Sequence, residues 1–175
     1  MDFNCTETLK YPLSIVWPTL RDRLPEIAEM LDDIEYVKVD KRVKKAAKSV
    51  HVISTRRADP PLPAFLKGFI KPDMLIWTDD AVWENDTTTC HFNIVTHYKV
   101  EDIYCVGTIR CEESAKGKST RIIYSGILTI RKTPRSSIFM TGFIIKGIEA
   151  LASHLIGHNF AKVIKTLDKT IRSEK

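Results

Sequence analysis

The sequence is poor in recognisable catalytic patterns. Its 175 residues contain no GxGxxG, no GxxxxGK[ST], no nucleophile-elbow serine and no HExxH. That removes the phosphate cradles, the strained serine turn and the zinc-protease helix built by those patterns. The four cysteines, Cys5, Cys90, Cys105 and Cys111, form no CxxC pair. Four reduced thiols in a cytoplasmic protein are therefore expected, with a disulfide or a cysteine nucleophile as the lesser alternative. The first residues carry neither a basic stretch nor an apolar one, so they do not read as a secretory leader. The longest apolar stretch, Ile138 to Ile156, is broken by Lys146, Glu149 and His154. It falls short of the ~20 mostly apolar residues that a spanning helix needs. No repeat or low-complexity tract occurs.

What is present is an ordinary globular composition, 43% hydrophobic, 28% charged and 9% aromatic. One domain over residues 1–175 is expected, because a chain of this length buries ~70% of its unfolded surface without a disulfide or metal staple.

Periodicity divides the chain. Phe3, Cys5, Leu9 and Tyr11 alternate with polar residues, which predicts a strand with one buried face. After Pro12, Ser14 can cap a short helix running to Leu24, with Pro18 in its first turn. Pro25 then opens a second short helix, Glu26 to Leu31. Strands follow over 34–44 and 49–57, joined by a tip at Lys45-Ala46-Ala47-Lys48. Asp59-Pro60-Pro61-Leu62-Pro63 breaks the ladder. Residues 64–70 read as a short helical turn, either folded onto the core or serving as a lid hinged at Gly68. Four longer strands are predicted over 74–84, 88–99, 104–113 and 120–132. Their connections are too short for parallel crossovers, so the pairing is antiparallel.

From Ser137 to Arg172 the apolar period is helical. Ile144, Ile148, Leu151 and Leu155 form a stripe that Phe160, Val163 or Ile164, Leu167 and Ile171 extend. At ~1.5 Å per residue this helix spans about 54 Å and can cross a sheet of strands ~40 Å long.

The order of strand, two short helices, six strands and one long C-terminal helix resembles the START-like (SRPBCC) superfamily. So does the passage Leu13-Ser14-Ile15-Val16-Trp17-Pro18-Thr19-Leu20, which is similar to the family's turn from first strand into a helix bearing a Val-Trp pair. Pro61-Leu62-Pro63, leading to Trp77 and Trp83, is similar to a bacterial branch of unknown function. The resemblance implies an α+β helix-grip fold: a curved antiparallel sheet of about seven strands (β-α-α-β6) gripping the C-terminal helix. It also implies a cavity between the two that takes a hydrophobic or amphipathic small molecule, lipid or polyketide-like. Some members are cyclases or hydroxylases, so a cyclase or dehydratase using the same pocket is one alternative, and a non-catalytic interaction module docking through the basic hairpin 38–57 is the other. The glycine-rich loop of the birch-pollen-allergen branch is missing, since Lys44-Lys45-Ala46-Ala47-Lys48 stands there. The plant-hormone reading is not carried over.

The candidate ligand-binding residues are Trp17, Phe65, Phe69, Trp77, Phe92, Tyr98, Tyr124, Phe143, Gly147, Ala150 and His154. The last four belong to a small-residue helix face, continued by Gly157 and Ala161, that either packs closely or leaves room for a ligand. Tyr98 and Tyr124 would bring a phenol to orient a polar group.

No catalytic residue is assigned. Asp79 and Asp80 point to opposite faces of a regular strand. An irregular strand leaving both in water is expected. The alternative is one inward acid with His97 or His154 as partner. His154 and His158 share a helix face, with His91 or His97 as a distant third ligand, but a polar interruption of the helix accounts for them. No metal or cofactor is expected.

Residues 38–57 carry eight basic side chains and one acidic one, so this hairpin exceeds the whole chain's net charge of +5. Lys41, Arg42, Lys44, Lys45 and Lys48 are candidate contacts for an anionic surface. The plain reading is a solvated edge whose lysines block strand pairing. The second is peripheral docking to an anionic membrane. Nucleic acid is not favoured, because neither a recognition helix nor an aromatic platform accompanies the charge. Oligomeric state is not legible.

Overall fold

A computed structural model describes residues 1–45, 48–59, 61, 72–98, 103–130 and 142–174, and within 142–155 the side chains of Lys146 and Glu149 alone. The elements are β1 (Asp2–Leu9), α1 (Leu13–Glu29), β2 (Ile34–Lys45), β3 (Ser49–Ala58), β4 (Ile76–Glu84), β5 (Thr89–Thr96), β6 (Ile103–Ser114), β7 (Ser119–Ile130) and α2 (Gly142–Ser173). A 3-10 turn, Pro72–Leu75, precedes β4.

All seven strands pair antiparallel in the order β1-β7-β6-β5-β4-β3-β2. Consecutive strands from β2 to β7 are hydrogen-bonded neighbours. β1 closes the other edge by pairing Phe3 with Gly126 and Cys5 with Tyr124. The helix-grip architecture is thus present, and β3, β4 and β5 bury alternate residues.

The expected pair of short helices is one continuous helix. α1 runs through both Pro18 and Pro25. An interior proline removes a hydrogen bond and costs ~3 kcal/mol. The apolar stripe explains why the helix continues: Val16, Trp17, Leu20, Ile27 and Ala28 are all buried along one face. Ser14 does not cap it. Pro12 stands at the N-cap, and its carbonyl accepts from Ile15 N at 3.0 Å and Val16 N at 3.1 Å.

α2 is 32 residues long, which at ~1.5 Å each is about 48 Å. Its C-terminal half buries Phe160, Ile164, Leu167 and Ile171, the stripe expected from the period. Each such side chain contributes ~1.5–3 kcal/mol of burial. The stripe joins a core containing Val16, Leu20, Trp83, Phe92 and Ile122. Among the described residues no helix is long and apolar enough to cross a membrane.

Candidate functional site

Between the inner face of the sheet and α2 lies a cavity of about 350 Å³. Sheet, α1 and the C-terminal half of α2 all contribute to its wall. The lining is mainly aliphatic and aromatic, with Trp77, Trp83, Phe92 and Phe160 among its largest side chains. Tyr124 sits among rings, 5.4 Å from Phe160 in a near-parallel stack, 5.4 Å from Phe92 and 4.9 Å from Phe3. Burial pushes its phenol well above the ordinary tyrosine value.

Three charged side chains interrupt this wall: Asp33, before β2, and the paired Arg56 and Asp79. β4 is regular, so Trp77, Asp79, Ala81 and Trp83 share the inward phase, and Asp79 is only 6% exposed. Ser54 of β3 is the direct partner of Asp79. Arg56, two residues further on the same face, reaches it diagonally, with Nη2 2.5 Å from Asp79 Oδ2. Arg56 Nε donates to Ser54 Oγ at 3.3 Å. The second carboxylate oxygen, Asp79 Oδ1, is buried with no hydrogen-bond partner. Burial raises the Asp79 carboxyl above its ordinary value, and Arg56 opposes that rise.

The expectation that both carboxylates would be wet is therefore corrected. The strand has no bulge here, and Arg56 supplies the counter-charge that makes an inward acid tolerable. Asp80 takes the outer face, with Oδ1 2.6 Å from His51 Nε2.

α2 adds Ile156, Asn159, Phe160, Val163 and Ile164 to the wall. Asn159 Oδ1 is also buried without a partner. Near the start of β2, Lys162 Nζ lies 3.4 Å from the buried Asp33.

Of the residues selected from sequence, Trp77, Phe92 and Tyr124 are brought together on the wall. Trp17 is buried behind it, 5.4 Å from Trp83, with Nε1 donating to Asn85 Oδ1 at 3.1 Å. Tyr98 lies in a bend beyond β5, half-buried and away from the lining. Phe65 and Phe69, with the whole lid segment, fall outside the described residues, as do the side chains of Phe143, Gly147, Ala150 and His154.

Further along the small-residue face, Ala161 is exposed and a Cβ at Gly157 would meet nothing within 4 Å. In this half of α2 the aliphatic stripe, not the small face, looks onto the cavity. His97 is exposed, 2.9 Å from Thr78 Oγ1 on the outer phase, so it does not partner the inward acid. Among the described residues no three His, Cys, Asp or Glu side chains are placed to hold a metal ion.

Sequence reasoning misses Arg56 and Asn159. Arg56 falls within the basic hairpin, yet it shares the phase of Val50, Val52 and Ser54. Asn159 precedes Phe160 on the stripe, a polar residue inside an apolar run.

Of the hairpin residues, Arg42 pairs with Asp22, and Lys38 with Asp40. Lys41, Lys44, Lys45 and Lys48 are exposed. They approach the tip, at the end of β3 away from the cavity-lining Arg56 and Ala58.

No family model and no curated protein matches the chain. Solved structures do match over its whole length. TTHA0849 from Thermus thermophilus is 14% identical with a TM-score of 0.69, over 100% of this chain and 99% of that one. The ZhuI aromatase/cyclase from Streptomyces sp. R1128 is 14% identical with a TM-score of 0.68, over 100% and 96%. Norcoclaurine synthase from Thalictrum flavum, in complex with dopamine and hydroxybenzaldehyde, is 12% identical with a TM-score of 0.63, over 100% and 88%. At these identities the likeness is one of fold, and the shared fold is the helix-grip fold.

Proposed function

We propose that the chain binds one hydrophobic or amphipathic small molecule, lipid or polyketide-like, in the cavity between sheet and α2. The observation that carries this reading is the cavity itself, about 350 Å³ in volume, apolar apart from a few buried polar groups. That combination of apolar wall and sparse polar anchors is the usual make-up of a small-molecule site. The likeness to an aromatase/cyclase and to a synthase holding dopamine and hydroxybenzaldehyde supports ring-bearing ligands. Four unpaired thiols fit a reducing, cytoplasmic setting.

The test is native mass spectrometry of the purified protein, followed by thermal denaturation across a panel of lipids and polyketide-type phenols. A ligand at a hundred times its Kd adds ~2.7 kcal/mol of stability, a shift of several degrees in Tm. A bound mass or such a shift supports the reading. No bound mass, no shift and no binding of a naphthyl fluorophore would overturn it.

A second reading, a cyclase or dehydratase in the same cavity, is favoured by one observation. Asp79 is a buried acid with a raised pKa on the cavity wall, the environment that suits a group for proton transfer. Chemical conversion of a bound molecule that stops in Asp79→Asn, with binding retained, would support it. Recovery of every bound molecule unchanged would remove it.

A further inference from the structure

The two edges of the sheet are built differently. β2 forms one edge and β1 the other. β2 carries devices that keep an edge from pairing. Its register shifts between Ile34 and Tyr36 and again between Val39 and Lys41, and Lys38, Lys41, Arg42, Lys44 and Lys45 lie along it. β1 carries none of these. Its register against β7 is unbroken from Asp2 to Leu9, and residues 2–9 hold no lysine, arginine or proline. The ladder also fixes which backbone groups are left over. Met1 exchanges two bonds with Leu128, its nitrogen donating to Leu128 O at 2.8 Å and its carbonyl accepting from Leu128 N at 2.9 Å. Hydrogen-bonded and open pairs alternate along an antiparallel ladder. Phe3, Cys5, Glu7 and Leu9 therefore turn their N–H and C=O toward β7, and those of Asp2, Asn4, Thr6 and Thr8 point away from the sheet. Among the described residues none of these outward groups meets a hydrogen-bond partner. At the Leu9 end the edge opens on a groove of about 420 Å³, lined by the consecutive residues Glu7 to Tyr11 and, from α2, by Ala161 and Ile164 among others.

We infer that two copies of the chain pair antiparallel along β1, joining their sheets into one, with Cys5 of each copy at the two-fold axis. The contact uses a strand edge and stands apart from the cavity reading. The occupant is a second copy because this edge is complementary to itself. With the axis at Cys5, Asp2 lies opposite Thr8 of the other copy, and Asn4 opposite Thr6. Every outward backbone group of β1 then finds a partner, in four pairs of two bonds, about eight hydrogen bonds in all. An axis at Asn4 leaves Thr8 without a strand partner, and an axis at Thr6 leaves Asp2 without one. The charges fit the same register. Asp2 and Glu7, the two acids of the strand, face Thr8 and Phe3 of the other copy, so no like charges are opposed. Lys10 of one copy falls diagonally beside Asp2 of the other, and both side chains are exposed. An isologous contact of this kind closes on itself at two copies.

The experiment is sedimentation equilibrium of the reduced wild-type chain up to roughly 300 µM, a range suited to the weak association of a small, one-strand interface. The mass is expected to rise from 20.0 kDa toward twice that value. Two variants test the edge, with circular dichroism establishing that each is folded. Thr6→Pro removes one outward N–H and no bond to β7. Asn4→Lys/Thr6→Lys sets like charges opposite each other across the axis. Both are expected to remain monomeric. Diamide, which takes one hydrogen from each of two thiols, should link wild-type copies through Cys5 and link neither variant. The axis would hold the two Cys5 residues as a non-hydrogen-bonded pair, with Cα atoms about 4.5 Å apart, within reach of a disulfide. A wild-type mass of 20.0 kDa at every concentration would overturn the inference. A dimer that persists in a folded variant would place the contact on another face and overturn it as well. A dimer that diamide leaves unlinked at Cys5 would overturn the register. Where neither variant folds, the wild-type mass and the Cys5 link, located by peptide mass spectrometry, decide the matter. None of these readouts depends on whether the cavity holds a ligand.

Discussion

Gly107 of β6 stands directly opposite Gly126 of β7. A Cβ on Gly107 would collide with Ser125 O and lie 2.6 Å from Phe92 Cζ. One on Gly126 would lie 2.5 Å from Val106 O and 2.8 Å from Phe3 Cζ. The paired absence of side chains lets two phenylalanine rings cover β7 and β6, the second and third strands from the β1 edge. Phe92 is one of the rings of the cavity wall, so this glycine pair sets how deep that wall sits. An isolated glycine in a strand pattern is the sequence mark of such a close approach.

Gly107→Ala and Gly126→Ala are therefore expected to destabilise by about 1–3 kcal/mol each, the range for overpacking a filled core. The obstructing atoms include backbone oxygens, which cannot swing aside. Gly157→Ala, in open space on α2, should instead stabilise by about 0.5–1 kcal/mol through helix propensity. Urea unfolding of the three variants checks both signs. A stabilised Gly107→Ala would contradict the close approach.

The contrast between these glycines shows where the sequence is legible. Period-two runs around Phe92 and Ile122 locate the strands, and the stripe ending in Ile164, Leu167 and Ile171 locates the helix. Both signals are local. Pro25 reads as a break although the helix runs through it, because local proline chemistry points one way and burial of Ile27 and Ala28 the other. The inward phase of Asp79 is illegible for a different reason. Its counter-charge, Arg56, lies on another strand, among the lysines of a basic hairpin. Asn159 gives no signal until α2 is laid over the sheet. Long-range pairing decides the polar groups of the site, and periodicity does not encode it.

Arg56→Met alone should destabilise by about 3–5 kcal/mol, since it leaves the buried Asp79 carboxylate without a partner. Arg56→Met with Asp79→Leu should recover most of that loss, because the pair is then replaced by apolar atoms of similar volume. Chemical denaturation of the two singles and the double completes the cycle. A double variant as unstable as the sum of the singles would show that the two side chains act independently.

Asp79 also sets a pH dependence. Burial raises its carboxyl above the ordinary value, against the pull of Arg56. The folded chain thus holds this proton more tightly than the unfolded chain. The resulting contribution is fully present below the ordinary carboxylate range and is lost as pH rises through the raised value. Relative to wild type, Asp79→Asn should accordingly gain stability as pH rises from ~4 toward ~7. Any constant cost of the substitution shifts the offset and leaves the slope intact. A flat difference, or one of opposite slope, would show that the ion pair dominates desolvation.

The thiols should separate by reactivity. Burial pushes Cys105 up to about 11 and Cys111 up to about 12, and raises Cys90 as well. Cys5 is raised too, but it is only half-buried. At pH ~8 the thiolate fraction of the three buried thiols is negligible, and the thiolate is the reacting species. Native protein treated with iodoacetamide should carry label at Cys5 first, and at the other three only in denaturant. Fast labelling of Cys105, which lines the cavity, would reveal solvent reaching it.

The basic hairpin allows the contact surface to be separated from the cavity. The cavity wall takes Arg56 and Ala58 from β3 and, across the ladder from Val50, Trp83 from β4, but none of the lysines at the hairpin tip. Lys44, Lys45 and Lys48 stand near that tip, exposed to water. Each basic group close to an anionic bilayer adds ~1 kcal/mol of attraction, so three together give a measurable partition at low salt. Lys44→Glu/Lys45→Glu/Lys48→Glu is expected to abolish co-sedimentation with phosphatidylserine vesicles while leaving binding of a naphthyl fluorophore unchanged. The first effect follows from charge, the second from the place of these three side chains outside the cavity lining. Wild-type protein that does not sediment with these vesicles, or a triple variant that still does, would remove the hairpin as a docking surface. A triple variant that loses affinity for the fluorophore would show instead that the hairpin tip and the cavity are coupled.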